Sequence, residues 1–216
     1  VFLPLYFQAV KGMSPTRSGL AMLPVVLGLF SSSVTSGRLI SRTGRYKIFP
    51  ILGSAILMFA ALLLSRVHAD TSYWQVAISS LVLGVGLGMT LQPIIVAVQN
   101  SVDLRDMGTA TGSTTFFRSL GGAVGTAIFG AVLGMRLDHY LGDIIGASGM
   151  PLGSGEMTNI QILRQLAEPT RHLVLNAFSK AIDDVFLSSI PFIAVAFIVS
   201  FFLEERPLRS GPLRQA

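Results

Sequence analysis

Few side chains of this chain have the type and placement to act on another molecule. Arg118 sits about two to three turns into the apolar stretch Thr109–Met135 and recurs every four residues with Gly122, Thr126, Gly130 and Gly134, with Gly121 and Gly125 beside that stripe. A guanidinium at that depth is costly and turns to a helix bundle or a watery cavity, unless it snorkels to the headgroups at its nearer end. Gln92 and Gln99 fall with Gly84 and Gly88 within about 80° of a helical wheel, and Pro93 frees a carbonyl beside them. Such a stripe suits a helix lining a polar cavity, or one hydrogen-bonding to a neighbour. Either way the chemistry is recognition by charge and hydrogen bonds rather than bond-making. No P-loop, GxSxG or HExxH pattern occurs, so no enzyme is expected. There is no Cys, and the three His at 68, 139 and 172 have no partner at ligand spacing, so no metal or cofactor is expected either.

The elements that carry these residues are membrane-length. Of the 216 residues, 51% are hydrophobic and 12% charged, against about 25% charged in a soluble domain. The mean hydropathy of +0.65 agrees. The charges cluster in short stretches and leave apolar runs of about 20 residues, enough to cross a bilayer. Complete spans are expected over 18–39, 47–65, 74–99, 109–135 and 182–203, with Tyr73 and Trp74 as interfacial aromatics. Residues 1–10 read as the end of a further helix. The stretch 136–181 reads as a long non-cytoplasmic loop, with a Gly/Ser-rich centre at Gly146–Gly155 and a helical segment over Ile160–Ala181 that feeds the last span. No Asp or Glu lies inside a complete span on this reading, because Asp183 and Glu204 stand at the ends of the last one. Intramembrane carboxylates are the usual proton relays, so a proton carrier is not expected here. Small residues at four-residue spacing, including Gly28, Ser32 and Ser36 in the first full span, suggest close helix packing.

Charge sets the expected orientation. The stretch Gly37–Lys47 holds Arg38, Arg42, Arg45 and Lys47 in eleven residues, with Gly37 ending one helix and an Arg-Thr-Gly44-Arg turn before the next. This loop, the Asn100–Gly108 loop and the tail 204–216 carry Arg105, Arg206, Arg209 and Arg214 as well, whereas the opposite short loops carry Lys11, Arg17 and Arg66. Short Lys/Arg-rich loops stay cytoplasmic, which places the Gly37 loop and the C-terminal tail inside. The net charge of +5 is spread over alternate loops and the tail, with no basic, aromatic-interleaved surface that would suit nucleic acid.

The chain resembles the C-terminal half of the fourteen-helix drug:proton antiporter-2 family of the major facilitator superfamily. The likeness rests on Leu3-Pro4-Leu5-Tyr6-Phe7-Gln8, Ser14-Pro15 with Gly19-Leu20 and Leu23-Pro24, and the Gly37–Lys47 loop. It extends to Gln99-Asn100 with Asp106-Met107-Gly108-Thr109-Ala110, to Arg118-Ser119-Leu120-Gly121-Gly122, and to Glu205-Arg206-Pro207-Leu208. It implies an all-α membrane bundle that rocks against an N-terminal half around a midplane site, exporting small amphiphilic molecules from a bacterial inner membrane at the expense of a proton gradient. The acidic proton-linked residue would then lie in the N-terminal half. One departure is Ser41, where the family's loop carries an Asp that helps latch the cytoplasmic gate. On this reading Gln92, Arg118, Gln99, Tyr6 and Gln8 are substrate-cavity candidates, and Gly37, Arg38, Arg42, Gly44, Arg45 and Lys47 form a gate and topology loop. Gly84, Gly88, Gly121, Gly122, Gly125, Gly130 and Gly134 pack helices. The partners are substrate, membrane lipid and the N-terminal half. A dedicated lipid, siderophore or antibiotic exporter is the alternative within transporters, and a non-transporting membrane scaffold is the alternative outside them.

Overall fold

The computed structural model describes residues 2–68, 70–148 and 170–208. Within them the chain is all-helical. The helices are α1 (Phe2–Ala9), α2 (Pro15–Ala21), α3 (Leu23–Thr43), α4 (Ile48–Leu64), α5 (Tyr73–Ser101), α6 (Met107–Ser148) and α7 (Thr170–Phe201), with a single 3-10 turn at Leu104–Asp106 before α6. Four segments are long and apolar enough to cross a membrane: Pro15–Thr43, Tyr73–Ser101, Leu104–Gly142 and His172–Phe201. The apolar α4, at 17 residues, lies at the lower limit of about 17–25 residues for a spanning helix.

Local chemistry sets the helix ends. Ser14 caps α2, its hydroxyl accepting from the Arg17 N–H, and Pro15 occupies the first turn, where its missing N–H costs nothing. Met22 alone separates α2 from α3, so the two make one nearly continuous rod. The end of that rod differs from expectation. Gly37 does not stop the helix, which runs on to Thr43 and ends at Gly44 in the left-handed region (φ 72°), with the Gly44 N–H bonded to the Ile40 carbonyl. Gly is tolerated inside a helix at a cost of about 1 kcal/mol. At Gly44 a side chain would be strained, and that is where the chain turns. The basic loop therefore shrinks to Gly44–Lys47, and Arg38 and Arg42 belong to α3.

The stretch 136–181 differs more. α6 is 42 residues long and continues past Met135 to Ser148, and α7 is already helical at Thr170. At 1.5 Å per residue α6 measures about 63 Å and α7 about 48 Å, so both outrun a hydrocarbon core of about 30 Å. Their extensions pair with each other. Leu137 and Leu141 of α6 are buried with Val174, Ala177, Phe178 and Ala181 of α7, an amphipathic seam rather than an all-apolar run. Most of the expected Gly/Ser-rich centre, residues 160–169 of the Ile160–Ala181 segment, and Arg209 and Arg214 of the tail lie outside the described residues.

Packing is uneven. α5 lies between α3 and α4 and packs closely on both. α4 also packs on α7, and α7 on α6, whereas α5 and α6 scarcely touch. Two apolar clusters close the ends of the bundle. One buries Leu3, Tyr6 and Phe7 of α1 with Leu64, Val67 and Val76 and with the α6–α7 seam. The other, at the opposite end, gathers Ile40, Tyr46, Phe49 and Ala97, with Leu203 and Leu208 of the tail against them.

Candidate functional site

The polar stripe of α5 divides into two parts. Its glycines are contact points. A Cβ at Gly84 would run into the Val25 carbonyl of α3, one at Gly28 into the Leu81 carbonyl of α5, and one at Gly88 into the Leu29 carbonyl and the Ser32 hydroxyl. On the other side of α5, a Cβ at Gly53 would meet the Thr90 hydroxyl, and one at Gly86 would come 2.8 Å from Leu57 Cγ. These backbones approach because side chains are missing. The glutamines behave differently. Gln92, one turn past Gly88, is exposed, and Gln99 donates through Nε2 to the Thr111 hydroxyl at 3.2 Å, joining the end of α5 to the start of α6.

α6 presents the opposite case to α5. No atom lies within 4 Å of a Cβ built at Gly121, Gly122, Gly130 or Gly134, and Gly125 meets only Phe129 of its own helix, at 4.0 Å. The expectation that these five glycines pack helices together is therefore not met among the described residues. Phe116 and Phe117 are 61% and 67% exposed. Arg118 is exposed too, and it makes no hydrogen bond or ion pair with any described residue. Gln99 and Asn100, its nearest polar candidates, are engaged elsewhere, Gln99 with Thr111 and Asn100 with the tail carbonyls of Arg206 and Pro207. Apart from Phe129, whose ring meets Phe192 of α7 edge-on with centroids 5.5 Å apart, α6 is thus held at both ends and bare on its glycine face between them. The bare stretch carries a cation and a run of small residues.

Two cavity candidates belong elsewhere. Tyr6 is 2% exposed in the α1 cluster, and its hydroxyl donates to the His68 carbonyl at 2.9 Å. Gln8 donates to the Ser18 hydroxyl at 3.0 Å and ties α1 to α2. Both hold α1 in place rather than line a cavity.

The ends contain polar networks that spacing did not reveal. At the Gly44 end, the fully buried Tyr46 donates its hydroxyl proton to the Glu204 carbonyl at 2.8 Å and accepts from the Arg206 N–H at 2.9 Å. With the Asn100 bonds this straps the tail across the ends of α3, α4 and α5. Arg38, Arg42 and Arg45 of the gate loop remain exposed around the strap, and Lys47 is half-buried. At the far end, the α4–α5 turn is held from three sides. Ser179 donates to the Val67 carbonyl at 3.1 Å, His68 Nδ1 lies 3.4 Å from an Asp183 carboxylate oxygen, and Lys11 Nζ donates to the Thr71 carbonyl at 2.6 Å. Burial holds the Lys11 ammonium below its ordinary pKa of 10.5, opposed by the nearby Asp70 carboxylate. Asp184 accepts from the Tyr140 hydroxyl at 2.9 Å and pairs with Arg136 at 3.3 Å.

Asp183, read from the sequence as a mere span end, is 9% exposed inside the membrane-length part of α7. The reason is the greater length of α7, whose apolar face begins well before Ile182. An aromatic or carboxylate at a helix boundary gave the only hint of either network, and neither distinguishes a buried residue from a solvated one. Among the described residues no group of three His, Cys, Asp or Glu comes together as a metal site.

An end-strapped membrane bundle with a bare polar helix is consistent with what the chain is similar to. Residues 1–126 match the model of the Major Facilitator Superfamily. The relatives include the uncharacterized MFS-type transporter Rv1877 of Mycobacterium tuberculosis, 37% identical over 207 residues, 96% of this chain and 30% of the relative. The efflux pump FUS6 of Gibberella fujikuroi is 31% identical over 219 residues, 96% of this chain and 39% of the relative. A tetracycline resistance determinant of Streptomyces rimosus is 28% identical over 244 residues, 97% of this chain and 70% of the relative. The chain thus spans 30% and 39% of the length of the first two of these. With more than half of its length matched by the family's model, the chain belongs to the Major Facilitator Superfamily, a family of membrane transporters rather than enzymes.

Proposed function

We propose that this chain is the C-terminal bundle of a fourteen-helix exporter that moves small amphiphilic molecules out of a bacterial cell by proton antiport. The observation that carries the reading is the bare glycine face of α6. A membrane-length helix that shows an unpaired guanidinium and five uncovered glycines to hydrocarbon would be unfavourable, by about 2.5–3.5 kcal/mol for the arginine alone on insertion scales. The same face is favourable against water and a second bundle. Arg118 and Gln92 then border a central cavity, Arg118 recognising substrate or a carboxylate of the other bundle, and Gln92 supplying hydrogen bonds. The tail strap and the arginines of the Gly44 turn lie on the cytoplasmic side by the positive-inside rule. Similarity to an efflux pump and to a tetracycline resistance determinant supports export.

The test uses the full protein. Arg118→Ala is expected to reach the membrane at the normal level and to lose most transport. Arg118→Lys keeps the charge but loses the planar fork, and is expected to fall between. Cysteines placed singly at 118, 122, 126 and 130 are expected to react with a water-soluble thiol reagent above the level of the same full protein without the added cysteine, and this chain contributes no Cys of its own. Wild-type transport by Arg118→Ala together with unreactive cysteines would reject the reading.

A further inference from the structure

α4, α5, α6 and α7 line an open groove of about 470 Å³ that the cavity-bordering residues above do not share. We propose that it is a binding site for one acyl chain of a membrane phospholipid. The inference goes beyond the export reading and needs only that the bundle sits in a bilayer.

Three observations carry it. The first is the chemistry of the wall. Leu57, Ile94, Phe129, Phe192, Ile193 and Leu203 supply most of it, and its polar side chains are four hydroxyls. Each hydroxyl is already spent on its own helix. Ser54 donates to the Pro50 carbonyl, Thr90 to Gly86, Ser189 to Phe186 and Ser200 to Ala196, at 2.7, 2.8, 2.6 and 2.8 Å. A guest acceptor would lose its hydrogen bonds to water and find no donor here, at a cost of about 1–3 kcal/mol per buried group. A hydrocarbon loses nothing.

The second observation is shape. The lining runs along α7 from Ser189 to Ser200 and on to Leu203 just past its end, about 21 Å at 1.5 Å per residue. The space is therefore elongated along α7, as an extended hydrocarbon chain requires.

The third is access. Ala196, Val199 and Phe192 line the cavity and are exposed on α7, so the space opens sideways. In a bilayer, acyl chains are what surrounds a membrane-length helix. An empty apolar groove of this size would forfeit the dispersion contacts of its lining, and an entering chain restores them without desolvating any polar group.

Native mass spectrometry of the full protein, extracted in mild detergent, tests the proposal. The wild type is expected to retain a phospholipid. Ala196→Phe, which puts a ring into the groove, is expected to lower the lipid-bound fraction about tenfold, the effect of about 1.4 kcal/mol of overpacking. Val195→Phe, one residue along α7 and outside the lining, is expected to leave it unchanged. Ser200→Phe, at the other end of the groove, is a second filler should Ala196→Phe fail to reach the membrane. Transport is measured on the same samples, so that loss of lipid and loss of export are read separately. No retained lipid in the wild type, equal retention in the filled variants, or a retained species that is not a phospholipid would each overturn the proposal.

Discussion

Glycines at helical spacing occur on both α5 and α6, and they meet opposite surroundings. On α5, Gly84, Gly86 and Gly88 lie against the backbones and side chains of α3 and α4, so tightly that a single methyl group has no room. On α6, a methyl group added at Gly121, Gly122, Gly130 or Gly134 meets nothing. The first set is a finished interface and the second an unoccupied one. Closeness of approach rather than spacing is what makes a small-residue stripe an interface. The difference also divides the molecule by role, with α3, α4 and α5 as a braced unit and α6 as a helix held at its ends and open between them.

The sharpest way to break this comparison is to add bulk on both sides. Gly84→Leu drives a side chain into the α3 backbone and is expected to destabilise by about 3 kcal/mol or more, abolishing accumulation in the membrane. In the isolated 1–216 chain, Gly122→Leu is expected to accumulate at the same level as the unsubstituted chain and to unfold at the same temperature. Equal membrane levels for the two variants would dissolve the distinction.

A smaller effect is expected where the braced unit meets the tail. Tyr46→Phe removes a donated and an accepted hydrogen bond, each worth about 0.5–1.5 kcal/mol, and leaves the Glu204 carbonyl and Arg206 N–H to find water. Limited proteolysis is expected to cut the tail faster, with a fall of a few degrees in the unfolding temperature. An unchanged cleavage rate would mean that the strap contributes nothing to the braced end.

At the far end, Asp184→Asn weakens the bonds to Tyr140 and Arg136 that pin α6 to α7, and about 1 kcal/mol is expected to go. The exposed Arg105–Asp106 pair, 3.6 Å apart, is the control. Asp106→Asn is expected to change stability by less than about 1 kcal/mol, as for surface pairs generally. A larger loss at Asp106 than at Asp184 would contradict the assignment of the α6 anchor.

The smallest effect sharpens the comparison most finely. Gly130→Ala in the isolated 1–216 chain is expected to be neutral or to stabilise by up to about 1 kcal/mol, the difference in helix propensity. In the full protein the same change is expected to destabilise, because the proposed second bundle covers that face. Thermal unfolding of both forms measures it, and equal shifts would leave the face uncovered in the full protein as well.

How much was legible varied with the kind of residue. The all-helical membrane class was readable from long apolar runs, because a bilayer demands about 20 such residues whatever the neighbours are. The turn at Gly44 was readable to within a few residues, but Gly37 misled, since a glycine can sit inside a helix as well as end one. α6 and α7 were read too short, because beyond the bilayer their apolar positions narrow to a stripe that a mean hydropathy does not register. Tyr6 and Gln8 looked like cavity residues by their polar ends. They prove to be struts, because a hydroxyl or amide at a helix end is satisfied by whichever backbone folds against it. Tyr46 and Asp183 gave no hint beyond their residue type at a helix boundary. Their partners lie far along the chain, Glu204 at a separation of 158 residues from Tyr46.

Composition and charge placement alone determined that this chain is a helical membrane bundle with its cations gathered on alternate turns, because solvation by lipid acts on each segment separately. Which glycines touch, which helix stays bare, where the tail is strapped and that an apolar cavity opens between α4 and α7 were decided only in three dimensions. Each of these depends on the distance between residues of different helices, and no periodicity within one helix encodes that distance.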